Sequence, residues 1–170
     1  MVMQNNTNDT THADLIHLRG VPFGATSEVA RKSSYNLSKL ESLAYNIARK
    51  LQEGKIKSIG LNGPLGAGKT TFVQLLARAL GYKGSVTSPT FTLSNEYQCP
   101  QNILVHFDLY RVNKSDRDVL EMIKESLLSE RWVVLEWSDR MMSINKKLDL
   151  ILNFRHGKSA DERIIEEQNG

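Results

Sequence analysis

Residues 63–71 read Gly-Pro-Leu-Gly-Ala-Gly-Lys-Thr-Thr. Glycines at this spacing let the backbone turn tightly and bring its N–H groups up to phosphate oxygens, an approach that side chains would block. Gly63 and Gly68 are separated by the four residues that a phosphate loop requires, and Lys69 and Thr70 follow at once. In such a loop the lysine reaches the β- and γ-phosphates as a point charge and the threonine hydroxyl faces Mg²⁺, while the next helix turns its positive end toward the anion. The motif therefore predicts binding of ATP or GTP with Mg²⁺ through Gly63, Pro64, Leu65, Gly66, Ala67, Gly68, Lys69, Thr70 and Thr71. The plain alternative is a glycine-rich turn with no ligand.

A phosphate loop also needs an acidic partner for the metal, usually at the carboxyl end of a neighbouring apolar strand. Asp108 closes Ile103-Leu-Val-His-Phe107, and Glu136 closes Trp132-Val-Val-Leu135. Both are metal and catalytic candidates, one to hold Mg²⁺ and the other to orient or deprotonate water; either could instead be a solvated strand-end carboxylate. Between the loop and these acids lies Val86-Thr-Ser-Pro-Thr-Phe91, rich in hydroxyls around Pro89. Its Ser88 and Thr90 have the chemistry to sense a γ-phosphate, as nucleotide-ordered switch segments do. A turn leading into a half-buried strand is the simpler alternative.

The elements that must position these groups follow from the apolar spacing. Leu40, Ala44, Ile47 and Leu51 share one face of a helix, with Ser38 and Glu41 read as its capping box and Gly54 as its stop. A short strand over 56–62 feeds the phosphate loop. Phe72, Leu75, Leu76, Ala79 and Leu80 mark the helix after it, ended by Gly81. Strands are expected at 91–97, 102–107, 132–136 and 148–154, and a helix over 116–128 with Val119, Leu120, Ile123 and Leu127 inward. The order implies an α/β fold with a mixed, mostly parallel sheet flanked by helices, the spacing from 91 to 107 adding an antiparallel pair.

With 170 residues, 40% of them hydrophobic, the chain is sized for one core. Residues 1–33 are polar and read as a loose leader holding at most one edge strand, 34–157 as the nucleotide domain, and 158–170 as a charged tail expected to fray. The single cysteine, Cys99, excludes an internal disulfide. No apolar run approaches the roughly 20 residues that span a bilayer, so a cytoplasmic protein is expected. A net charge of +3 spread along the chain permits RNA contact without arguing for it.

Taken together, Leu65 to Thr71, Val86-Thr-Ser-Pro-Thr-Phe-Thr-Leu93, His106-Phe-Asp-Leu-Tyr-Arg111 and Glu136-Trp137 resemble the TsaE (YjeE) family of small bacterial P-loop ATPases. That family pairs L-G-A-G-K-T-T with V-x-S-P-T-[FY]-x-L, then H-F-D-L-Y-R, then an apolar strand ending in Glu-Trp. The resemblance covers roughly residues 35–155 and departs in the helix after Arg111, which lacks a glycine often found there, and in the Ser-Asp-Arg that follows Trp137. It implies a P-loop NTPase-like fold that binds and hydrolyses ATP with Mg²⁺ in support of threonylcarbamoyladenosine synthesis on tRNA. It also implies action on the TsaB and TsaD complex, resetting it between turnovers, with weak turnover by the isolated chain and an indirect link to tRNA. By the same resemblance Lys69, Thr70, Asp108 and Glu136 carry phosphate, metal and catalytic roles, Ser88 and Thr90 are switch-like sensors, and Trp137 packs near the nucleotide. His106 and Tyr110 read as structural, Arg111 as a phosphate or tRNA contact or a surface ion pair, and the stretch around Asn36 as a candidate for touching the base.

Two other readings use the same loop. Asn113-Lys-Ser-Asp116 matches the guanine signature N-K-x-D, but it follows Asp108 almost immediately, where a GTPase places a strand and helix, and a helix cap at Ser115 or Asp116 accounts for it. A small-molecule kinase would need an acceptor pocket and an arginine-rich lid. A nucleotide-dependent switch with negligible turnover would need neither.

Overall fold

The computed structural model describes residues 31–113, 115–159 and 162–169. Seven strands form one sheet in the order β1-β7-β6-β2-β5-β4-β3. These are β1 (Arg31–Tyr35), β2 (Ser58–Asn62), β3 (Ser94–Gln98), β4 (Ile103–Asp108), β5 (Trp132–Glu136), β6 (Leu150–His156) and β7 (Arg163–Asn169). The central four, β6, β2, β5 and β4, run parallel, and β3, β7 and β1 join as antiparallel strands at the two sides. The expected mixed, mostly parallel core is what the chain forms.

Helices α1 (Leu37–Gln52) and α2 (Lys69–Ala79) cover one face, with Leu40, Ile47, Phe72 and Leu76 packed on Ile59, Leu61, Leu104, Val134 and Leu152. Helix α3 (Arg117–Leu128) and the short α4 (Met142–Asn145) cover the other, where Val119, Ile123 and Ile144 meet Val105, Phe107, Val133 and Leu135. Period-two alternation along β4 and β5 explains the split. It also places His106, Asp108 and Glu136 on the α1–α2 face, the face that carries the phosphate loop.

Several local expectations change. The cap of α1 is Asn36, whose Oδ1 accepts from Lys39 N at 3.0 Å, so Ser38 and Glu41 do not form the capping box; Ser38 Oγ donates to Asn36 Oδ1 instead. Residues 91–93, expected to open a strand, belong to a turn in which Leu93 has φ +69° and its N–H donates to Pro89 O at 2.7 Å. The strand starts at Ser94 because that turn consumes the preceding residues. The tail expected to fray is instead β7, paired with both β6 and β1, and Ile165 on it is fully buried. Beyond Ile164 and Ile165 the strand is charged or polar, so pairing with its two neighbours holds it together with the buried Ile165. Of the expected leader, 31–33 lie in β1 and 1–30 fall outside the described residues. Asp116 caps α3, accepting from Val119 N at 3.1 Å, in place of any guanine-reading role.

Candidate functional site

The phosphate loop leaves β2 at Asn62 and enters α2 at Lys69, with Gly63, Gly66 and Gly68 at φ +129°, +73° and +99°. At Gly63 the requirement is also steric, since a Cβ there would lie 2.2 Å from Phe154 O in β6. Asn62 anchors the entry: its Oδ1 accepts from Ser138 Oγ at 2.7 Å and Asp139 N at 2.9 Å, and its Nδ2 donates to Asn153 Oδ1 at 3.2 Å. The loop is thereby tied to the segment that follows β5.

Lys69 is 4% exposed, and its Nζ donates to the carbonyls of Gly63 and Pro64 at 2.8 and 3.0 Å. The Trp137 ring lies over it, 3.7 Å from Nζ to the ring centroid. Burial pulls the ammonium below its ordinary range, against the attraction of Glu136, Asp108 and Asp139. Trp137 holds its ring there from a left-handed backbone (φ +58°), with its N–H donating to Leu61 O at 2.7 Å. Such a conformation is uncommon for a bulky residue and recurs where a side chain is aimed for function. Tyr110 packs against the same indole, ring centroids 5.1 Å apart.

Asp108 and Glu136 are partners in the parallel register of β4 and β5, and both are buried. They are engaged differently. Glu136 Oε1 accepts from Thr70 Oγ1 at 2.8 Å and lies 3.0 Å from His106 Nε2, while Oε2 receives no protein hydrogen bond among the described residues. Asp108 Oδ2 accepts from Ser88 Oγ at 2.8 Å and from Thr90 Oγ1, and Oδ1 accepts from Tyr110 N at 2.9 Å. Glu136 is thus joined to the phosphate loop, and Asp108 to the hydroxyl loop.

A cavity of about 280 Å³ opens among these groups, lined by Leu65, Gly66, Gly68, Lys69, Thr70, Thr71, Ser88, Thr90, Asp108, Tyr110, Glu136 and Trp137. Eleven of the residues singled out from sequence therefore share one concavity. Gly63 and Pro64 lie behind it and contribute carbonyls to Lys69. The Ala67 side chain is buried in the core, so only its backbone is available to a ligand. Larger clefts of about 590 and 600 Å³ flank α2, but they gather no acids beside loop donors. The Thr70 hydroxyl and the two carboxylates are hard oxygen donors meeting at the phosphate loop, a set that suits Mg²⁺, which takes few protein ligands and completes its shell from phosphate and water.

Two groups escaped sequence reasoning. His106, read as structural, is fully buried against Glu136; the signal available was a polar side chain at an apolar strand position two residues before Asp108. Beside the loop lies a second cavity of about 530 Å³ that shares Gly68 and Thr71 with the first and is otherwise lined by Tyr35, Asn36, Leu37, Ser38, Leu40 and Arg163. Arg163 sits on β7, in the stretch expected to fray. Arg111 makes no ion pair among the described residues; its guanidinium stacks on the exposed Phe91 ring at 4.6 Å.

A family model described as Threonylcarbamoyl adenosine biosynthesis protein TsaE matches residues 34–165. The chain is 46% identical over 112 residues to the tRNA threonylcarbamoyladenosine biosynthesis protein TsaE of Aquifex aeolicus, spanning 65% of this chain and 74% of that one. To the protein of the same name from Haemophilus influenzae it is 37% identical over 116 residues, or 67% and 72% of the two chains. Among solved structures, Bacillus subtilis YdiB aligns with a TM-score of 0.59 and 25% identity over 85% of this chain and 90% of that one.

Proposed function

The chain belongs to the TsaE family, and from that premise we propose that it binds ATP with Mg²⁺ and hydrolyses it in support of threonylcarbamoyladenosine synthesis on tRNA, together with the TsaD and TsaB proteins. The observation that carries this reading is the convergence, on one phosphate loop, of Thr70 with Glu136 and of Ser88 and Thr90 with Asp108.

In this reading the backbone N–H groups of 65–70 hold the β- and γ-phosphates, and Lys69 turns from its own loop carbonyls to the phosphate oxygens. Thr70, with Asp108 or Glu136, would hold Mg²⁺, which would supply charge neutralisation for the phosphates. Glu136 has one carboxylate oxygen anchored and the other open to the cavity, the arrangement that suits a group orienting and deprotonating water. Asp108 gathers the hydroxyls of Ser88 and Thr90, so displacement of either by a phosphate or its metal moves that loop. The second cavity continues from Gly68 and Thr71 toward Asn36, and we assign it to the nucleoside.

Partner dependence follows from charge. Among the described residues Lys69 is the only cation lining the 280 Å³ cavity, and no arginine lines it. Charge that spreads over the equatorial oxygens during phosphoryl transfer then lacks the second cation that fast NTPases use. Leu65 on the cavity lining and Phe91, next in chain to the lining Thr90, stand exposed, apolar surface fit for a protein that completes the site. The working place of such a chain is the cytoplasm, with no contact to a membrane and with tRNA met only through the partners.

The test is ATP against GTP turnover by the purified chain, alone and with TsaD and TsaB, beside Lys69→Ala and Glu136→Gln. The expected result is slow ATP hydrolysis that the partners raise and that both substitutions abolish. Efficient GTP turnover, or phosphate passed to a small acceptor without partners, would refute it.

A further inference from the structure

His106 stands inside β4 on a face otherwise filled by Leu104, Trp132 and Val134, and it is fully buried. An imidazole loses its hydration there, and a leucine would pack at lower cost unless the ring nitrogens have work to do. Each has a neighbour: Nε2 is 3.0 Å from Glu136 Oε1, and Nδ1 is 3.4 Å from the Tyr97 hydroxyl. The Tyr97 hydroxyl has one proton and two acceptors within reach, His106 Nδ1 and, at 3.0 Å, the carbonyl of Thr87, to which Asn95 Nδ2 also donates at 3.2 Å. The next residue is Ser88, which donates to Asp108. A ring thus closes from Glu136 through His106, Tyr97, Thr87 and Ser88 to Asp108, and back across the β4–β5 register.

We propose that His106 is a positioning residue for hydrolysis: it fixes Glu136 Oε1 and, through Tyr97, the backbone of Thr87, so that the water-activating carboxylate and the phosphate-facing hydroxyls are set by one side chain. The inference rests on the reading of Glu136 given above. A carboxylate oxygen accepts, so Nε2 donates in this contact, and Nδ1 then accepts from the Tyr97 hydroxyl when that proton is not given to Thr87. Two donors share Oε1 in the structure, Thr70 and His106. Thr70 is the one required elsewhere once Mg²⁺ and nucleotide occupy the loop. His106 is then the remaining protein donor on that oxygen, and Glu136 keeps its orientation, with Oε2 toward the cavity, because the imidazole does not move. The Tyr97 hydroxyl couples the same ring to the loop: where the phosphate draws Ser88 and Thr90 and Thr87 moves with them, the hydroxyl turns its proton from Thr87 O to His106 Nδ1.

The experiment compares His106→Leu, His106→Gln and Tyr97→Phe in the full chain with TsaD and TsaB. Leucine keeps the packing, glutamine restores an N–H near Nε2, and phenylalanine removes only the hydroxyl. His106→Leu is expected to lower kcat by about 10- to 100-fold, the loss typical of a misplaced group, with KM for ATP nearly unchanged, and His106→Gln to recover most of it. Hydrogen exchange of the Leu93 amide, which donates to Pro89 O across the hydroxyl loop, is expected to quicken in Tyr97→Phe without nucleotide. An active wild type with an unaffected His106→Leu variant overturns this proposal alone, as does a Gln variant no better than Leu or a Leu93 amide indifferent to Tyr97→Phe. A wild type that does not hydrolyse ATP with its partners overturns the hydrolysis reading and takes this one with it.

Discussion

Replacing Gly63 by alanine separates backbone strain from steric conflict at the root of the phosphate loop. At φ +129° an L-residue sits in a region almost reserved for glycine, which costs about 1–3 kcal/mol. The added Cβ would also lie 2.2 Å from Phe154 O and 3.0 Å from Phe154 C. Phe154 is itself paired to Ile165 in β7 and its ring is buried against Phe72, so the oxygen has no room to withdraw. Overpacking of this kind adds about 1–3 kcal/mol. The sum is about 2–6 kcal/mol, which at roughly 2–4 °C per kcal/mol for a domain of this size lowers Tm by about 4–24 °C. Gly54→Ala is the control: its φ is +68° and nothing lies within 4 Å of the new Cβ, so only the left-handed penalty of about 1–2 kcal/mol remains. Thermal unfolding followed by circular dichroism, with nucleotide absent, measures both. A Gly63→Ala variant that melts no lower than Gly54→Ala would refute the steric argument.

Other variants probe the rest of the scaffold. Burial depresses the Lys69 ammonium from its ordinary value of 10.5, so the protonated form opposes folding at neutral pH and the opposition fades as alkaline pH removes the proton from the folded chain first. Without nucleotide, Lys69→Met is therefore expected to melt no lower than wild type at pH 7, with any advantage shrinking as pH rises through the depressed value; a lower Tm at pH 7 contradicts this. Ser138→Ala removes a buried donor that lies 2.7 Å from both Asn62 Oδ1 and Asn145 Oδ1, and denaturant unfolding should show a loss of about 1–3 kcal/mol. Ile165→Ala, in the strand that completes the sheet, is expected to cost about 2–5 kcal/mol, whereas a frayed tail would show no change.

The phosphate loop was legible because its chemistry is local. Glycines, Lys69 and Thr70 lie within one turn of chain, and the strand before and helix after them announce themselves by periodicity. Asp108 and Glu136 were legible as strand-end acids for the same reason. The hydroxyls of Ser88 and Thr90 stood out by type and a turn there was an open reading, but not its extent to residue 93, since a left-handed Leu93 has no signature in side-chain pattern. The tail failed because two adjacent isoleucines followed by Glu-Glu-Gln-Asn show no strand period, and its hydrogen bonds come from two neighbouring strands.

Residue type and short spacing thus determined that a phosphate loop exists and which acids stand ready to serve it. Only the tertiary structure decided how they are joined. His106 and Glu136 are 30 residues apart and meet because β4 and β5 are adjacent in parallel register. Arg163 and Asn36 come to one cavity because β7 lies between β1 and β6. Neighbour order in a sheet is set by long-range burial and pairing, which leave no local trace in the chain.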